Sequence, residues 1–271
     1  MSKTPLKGEL WAEFLGTMIL ILFGVGVVAQ VVTGGFPKSV ASGDHNSIAW
    51  AWGFGVTMGV YVSARVSGAH LNPAVTIALA AFKGFKWSKV GPYCLAQTAG
   101  AFVAAVVVRF VYADQIARVD PDHTKLTQGI FSTSPGPGVS ITTAFFDQIV
   151  GTAILVFVIF AMTTALNNPP MANTGPLMIG FLVVGIGMAW GTNAGYAINP
   201  ARDMGPRLAS WITGYGDSLY SVNGDQLYFW LPIVAPIIGG LLGGLLFVKG
   251  IEPYLGHESE DITVSEPSVQ N

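Results

Sequence analysis

The residues able to do chemistry in this chain gather around a motif that occurs twice. Asn72-Pro73-Ala74 and Asn199-Pro200-Ala201 sit in matching frames, Ser67-Gly68-Ala69-His70-Leu71-Asn72-Pro73-Ala74-Val75 and Ala194-Gly195-Tyr196-Ala197-Ile198-Asn199-Pro200-Ala201-Arg202. Arg202 follows the second copy directly, in the first turn of the helix that the motif predicts, where the helix dipole disfavours a cation. A cation held there suggests a functional reason: an arginine in a narrow passage offers several donors to hydroxyl oxygens and repels cations. The alternative is a surface arginine paired with Asp203 or Asp217. Asp203 suits the same dipole and stands four residues before Arg207, a spacing at which the two can pair and brace the segment. Catalytic chemistry has no comparable support, since no nucleophile–base pair and no metal-ligand cluster stands out. His45, His123 and His257 fall in expected loops or the tail, and His70 lies beside the first motif, where a bracing role is expected. The single cysteine, Cys94, excludes an intramolecular disulfide and a thiolate metal cluster.

The elements that must position these residues follow from cap chemistry and length. Asn is a good helix N-cap and Pro a good first helical residue, so each motif predicts an abrupt helix start after a Gly-bearing extended segment. The two helices are expected over 72–82 and 199–212. About 11 residues rise only ~16 Å, roughly half of a ~30 Å bilayer core. Six longer apolar segments surround them: Leu10 to Val32, Ile48 to Val66, Val90 to Tyr112, Ala144 to Leu166, Gly175 to Trp190 and Tyr228 to Val248. Most approach the ~20 residues that a spanning helix needs.

Composition agrees with a membrane protein. The chain is 51% hydrophobic and 10% charged, against about 25% charged in soluble domains. A net charge of −2 argues against nucleic acid as a partner. The first apolar segment has full span length and is expected to be retained rather than cleaved.

The halves are repeats. Glu13-Phe14-Leu15-Gly16-Thr17 in the first span matches Gln148-Ile149-Val150-Gly151-Thr152 in the fourth. The expected organisation is a first repeat over 1–112, a polar connecting loop over 113–143, a second repeat over 144–250 and a disordered acidic tail over 251–271. Three spans per half is an odd number, so the second copy enters the membrane from the opposite side, and the two half-helices approach the midplane from opposite faces. Lysine and arginine near the span ends, Lys3, Lys7, Arg65, Lys83, Lys86, Lys89 and Lys249 against Lys38, Arg109, Arg118 and Lys125, with Arg202 and Arg207 inside the second re-entrant segment, favour both termini on the cytoplasmic side by a modest margin. Glu13 and Gln148 are either interfacial groups in water or acceptors for backbone N–H groups that a non-helical re-entrant segment leaves without partners. Glycines four apart, Gly55/Gly59, Gly187/Gly191, Gly239/Gly243 and Gly240/Gly244, predict close helix packing.

With these features, and Asn-Pro-Ala-Arg-Asp in the second half, the chain closely resembles the aquaporin superfamily from about Gly8 to Gly250. Asp203, Arg207, Pro232-Ile233 and Tyr112 make it similar to the glycerol-facilitator branch. The resemblance implies an all-α membrane fold of six transmembrane helices plus two re-entrant half-helices in an inverted repeat. It implies an aromatic/arginine selectivity filter at Trp52, Gly187, Tyr196 and Arg202, with Asn72 and Asn199 donating to each passing oxygen at the midplane. In that frame Glu13, Gln148 and Asp203 are structural braces. Tyr196 stands where the best-known bacterial glycerol facilitators carry Phe. The implied activity is passive conduction of glycerol, other small neutral solutes and water through the lipid bilayer, with exclusion of protons and ions. A channel mainly for water, or for urea, hydrogen peroxide or ammonia, is the alternative. No cofactor, metal or enzymatic activity is implied, and the family usually assembles as a homotetramer in the plasma membrane.

Overall fold

The computed structural model describes residues 4–34, 42–221 and 226–256. The expectations for Lys3, Lys38, His257 and the tail beyond residue 256 lie outside the described residues. Six long helices carry the architecture: α1 (Leu6–Gly34), α2 (His45–Ser67), α4 (Trp87–Val111), α7 (Ile141–Thr163), α8 (Gly175–Ala194) and α10 (Leu231–Gly250). Two half-length helices, α3 (Pro73–Phe82) and α9 (Pro200–Ile212), follow the two Asn residues. Five of the long helices are long and apolar enough to cross a membrane. The exception is α2, whose 23 residues suffice in length but include His45, Asn46, Arg65, three Ser and three Gly.

Both half-helices begin as cap chemistry predicts. Asn72 and Asn199 have extended backbones, and each side-chain oxygen accepts from the N–H two residues on, at 2.9 Å from Ala74 and 3.0 Å from Ala201. Proline occupies the first helical position in both, where its missing N–H costs nothing.

Packing repeats between the halves. The first helix α1 lies against α2 and α4, and α7 lies against α8 and α10 in the same relation; α3 crosses to pack on α10, and α9 on α4. The close contacts obey the same symmetry. A Cβ on Gly100 of α4 would collide with the Phe14 carbonyl of α1, and one on Gly239 of α10 would collide with the Ile149 carbonyl of α7. Phe14 and Ile149 are equivalent positions of the sequence repeat. The paired glycines of α10 divide their work, Gly239 and Gly243 facing α7 while Gly240 and Gly244 face α3.

The segment 113–143 departs from a plain polar loop. It contains α5 (Ala113–Val119) and α6 (Lys125–Gln128), and it buries Ile116, Ile130 and Phe131 in the core. Phe131 packs on Tyr215, with ring centroids 5.6 Å apart. Apolar residues dispersed among prolines and glycines give no period, so this anchoring is invisible until the chain folds.

Candidate functional site

The two motifs meet in the interior. Asn72 donates from its Nδ2 to the Ile198 carbonyl at 2.8 Å, and Asn199 donates from its Nδ2 to the Leu71 carbonyl at 2.8 Å. Each carboxamide therefore caps its own helix with its oxygen and ties the opposite loop with one N–H, leaving a second N–H per residue.

The extended segments before each Asn are held in conformations that L-residues seldom adopt. Gly68, Ala69 and Leu71 have φ of 90°, 51° and 51°, and Gly195, Tyr196 and Ile198 have 68°, 35° and 43°. Such backbones persist where their surroundings over-determine them. Buried acceptors supply that determination. Glu13 Oε1 accepts from Ser67 Oγ at 2.6 Å and from the His70 N–H at 2.9 Å, and Oε2 accepts from the Leu71 N–H and Gln97 Nε2, both at 2.8 Å. Gln148 stands at the equivalent place and accepts from the Ile198 N–H at 3.0 Å. Its Nε2 donates to Asp147 Oδ2 at 3.1 Å, and Asn193 donates to Asp147 Oδ1 at 3.0 Å. One buried carboxylate thus serves the first loop, whereas an amide backed by a neighbouring carboxylate serves the second.

A cavity of about 320 Å³ runs past both motifs. Leu20, Val56, Val60, Leu155, Ile159 and Val183 line it, together with residues 68–72 and 196–199 of the two loops. Trp52, Tyr196 and Arg202 are also among its lining residues. The Arg202 guanidinium carbon lies 4.0 Å from the centre of a Trp52 ring, a cation–π geometry. Trp52 itself rests on Gly24 of α1, where a Cβ would collide with the indole. Among the described residues, Trp52 Nε1 and the Tyr196 hydroxyl have no hydrogen-bond partner although buried, and the Arg202 guanidinium forms no ion pair.

Gly187 lies behind this wall and does not line the cavity. A Cβ there would sit 3.1 Å from Tyr196 Cζ and 3.1 Å from the Ala49 Cβ, so the glycine makes room for the tyrosine ring. Asp203 pairs with Arg207, not Arg202: Arg207 Nε donates to Asp203 Oδ1 at 2.7 Å, and Asp203 Oδ2 accepts from the Thr133 N–H and hydroxyl at 2.8 and 2.6 Å. Arg207 also donates to the carbonyls of Thr133 and Ser218. This buried pair ties α9 to two connecting segments.

Residues that sequence reasoning left aside also appear. Gln97 donates to Glu13 and to Thr76 Oγ1, and His70 meets Thr76 at 3.2 Å while packing on Phe85 and Tyr93. His45, expected in a loop, is the first residue of α2, and its Nε2 lies 2.8 Å from the Gly187 carbonyl. No local pattern signals that contact, which joins residues 142 positions apart.

Two half-helices meeting at paired Asn-Pro-Ala motifs inside six long helices define a membrane channel of the aquaporin fold. The chain belongs to the major intrinsic protein family, whose description matches residues 1–247. It is 43% identical over 244 residues to Aquaglyceroporin-2 of Rhizophagus irregularis, covering 88% of this chain and 75% of that one. It is 41% identical over 282 residues to the Glycerol uptake facilitator protein of Escherichia coli (strain K12), covering 98% of each. Among solved structures, the aquaglyceroporin from Plasmodium falciparum superposes with a TM-score of 0.83 at 34% identity, covering 93% of this chain and 99% of that one.

Proposed function

We propose that this chain is a passive, multi-pass membrane channel that conducts glycerol and other small neutral solutes, with water, and excludes protons and ions. The observation that carries the reading is a largely apolar cavity that passes both Asn-Pro-Ala motifs and is lined by Arg202. A polyol has a hydroxylated edge and a CH edge; Asn72, Asn199 and Arg202 suit the first, and the aliphatic lining from the helices suits the second. Trp52, Tyr196 and Arg202 act as the filter, with Gly187 giving the Tyr196 ring its place. Arg202 also repels cations, and both half-helix N-termini direct positive potential toward the midplane, as is general for aquaporins. Asn72 and Asn199 offer their remaining N–H groups to a passing oxygen. Glu13, Gln148 and Asp203 brace the loops that carry these groups. The two halves, 1–112 and 144–250, form an inverted repeat joined by 113–143. The working unit is a homotetramer in the plasma membrane with both termini cytoplasmic, an orientation that the lysine and arginine distribution supports.

Stopped-flow light scattering of proteoliposomes under a glycerol gradient tests the reading. Glycerol influx well above that of empty vesicles, rising linearly with the gradient, is expected. Fast water flow with glycerol at the empty-vesicle rate would leave a water channel instead.

A further inference from the structure

The filter tyrosine is held by packing alone. The Tyr196 hydroxyl has no partner among the described residues, and its backbone sits at φ 35°, a strained position for a bulky residue. Its ring lies against Gly187 and Gly191, one turn apart on α8: a Cβ on Gly187 would be 3.2 Å from Tyr196 Cε2, and one on Gly191 would be 3.4 Å from Cδ1. The same notch receives His45. A Cβ on Gly191 would lie 2.7 Å from His45 Nε2, and that nitrogen is 2.8 Å from the Gly187 carbonyl. A carbonyl only accepts, so Nε2 carries the proton and donates. The His45 and Tyr196 rings meet edge to face, with centroids 6.3 Å apart and planes at 89°. This pair of glycines, spaced as if for a helix backbone, instead seats two rings.

The helix α2 delivers His45 with little freedom. Asp44 caps it through a reciprocal box with Ser47, with the Ser47 N–H donating to Asp44 Oδ1 at 2.9 Å and the Asp44 N–H to Ser47 Oγ at 3.2 Å. Ala49, one turn on, packs on Gly187, and Trp52, a further turn on, reaches the filter. His45, Ala49 and Trp52 therefore share one face of α2.

We propose that His45 is a positioning residue that sets the aperture of the filter: by filling the Gly187/Gly191 notch and donating to the Gly187 carbonyl, it keeps the Tyr196 ring forward and limits the bulk of the polyol admitted. Without that hydrogen bond nothing fixes the side chain at 45 in the notch, so the ring can fall back into it and the passage widens. The inference rests on the polyol-channel reading.

Its test compares xylitol, a five-carbon polyol, with glycerol in proteoliposomes containing wild type, His45→Ala, His45→Leu or His45→Gln, with water permeability and incorporated protein measured in each. Leucine keeps bulk without a donor, and glutamine keeps a donor. The xylitol-to-glycerol permeability ratio is expected to rise about two- to tenfold in the Ala and Leu variants, the factor that a lost hydrogen bond carries, and to stay near wild type in Gln. A general loss of folded channel lowers all fluxes together and leaves the ratio unmoved. A wild-type ratio in Leu would overturn the inference, as would a shift in Gln equal to that in Leu. If the Ala variant does not insert, the Leu and Gln pair decides alone. Wild-type glycerol flux at the empty-vesicle rate would instead overturn the polyol reading and this inference with it.

Discussion

The side-chain amide of Asn72 donates to the carbonyl of Ile198 at 2.8 Å, although 126 residues separate them. Asn199 returns the contact to Leu71 at the same distance, so each motif completes the other's loop. Removing either amide should cost its own half-helix about 1 kcal/mol of capping and leave a buried carbonyl in the opposite half unpaired, at about 1–3 kcal/mol. Because the losses are shared, Asn72→Ala and Asn199→Ala should not add. Thermal unfolding in detergent of both single variants and the double variant should give a coupling of at least about 0.5 kcal/mol. Strict additivity would mean that the two loops are held independently.

The braces are unequal. Glu13 accepts four hydrogen bonds, while Gln148 accepts one and leans on Asp147. Glu13→Ala leaves the His70 and Leu71 N–H groups without an acceptor, while Ser67 Oγ and Gln97 Nε2 keep Ser63 and Thr76, and should lower thermal stability more than Gln148→Ala, by roughly 2 kcal/mol or more given the cost of unsatisfied buried groups. Differential scanning fluorimetry of the two variants side by side checks the order.

Glycine effects should split by environment. Gly243→Ala forces a methyl into the Ala153 carbonyl of α7, whereas Gly26→Ala meets nothing within 4 Å. The first should reduce folded yield and midpoint temperature. The second should be neutral or gain up to about 1 kcal/mol, the helix preference for Ala over Gly. Yield and thermal midpoint of both variants in one detergent decide it.

Outside the spans, Asp120 gives a pH dependence with a definite sign. Burial opposes its charge, but hydrogen bonds from Thr124 and Thr127 outweigh that and hold its carboxyl below the usual range. Thr127 donates to Oδ2 from its hydroxyl at 2.7 Å and its N–H at 3.2 Å. A depressed folded pKa stabilises above the unfolded value of about 3.9 and loses that contribution as pH falls through the folded value. The stability advantage of wild type over Asp120→Asn should therefore be full at pH 7 and shrink below about pH 4. Thermal midpoints of both proteins across that range test it.

How much of this was legible in the sequence depends on how local the cause is. The half-helix starts were, because capping by Asn72 and Asn199 and the Pro that follows act within three residues. Glu13 and Gln148 occupy matching frames in the sequence, and each accepts from the N–H of the residue just before its motif's Asn. The anchoring of segment 113–143 was hidden, because Ile116, Ile130 and Phe131 show no period and are buried only by partners such as Tyr215. Gly187 is implied as a filter residue and paired by spacing with Gly191, yet the space at both glycines is taken by the Tyr196 ring, which no spacing rule reports. His45 was set aside as a loop residue because its partner lies 142 positions away.

The most direct test of the central claim, that neutral solutes and not ions pass through the cavity between the two Asn residues, is glycerol influx into liposomes loaded with a pH-sensitive dye. Wild type would be compared with Val60→Trp, which places an indole in the apolar lining of the cavity. The account predicts glycerol influx far above empty vesicles with no proton signal for wild type, and influx near empty vesicles for equal amounts of inserted Val60→Trp. Wild-type influx at the empty-vesicle rate, a proton current that tracks it, or an unimpeded Val60→Trp would contradict it.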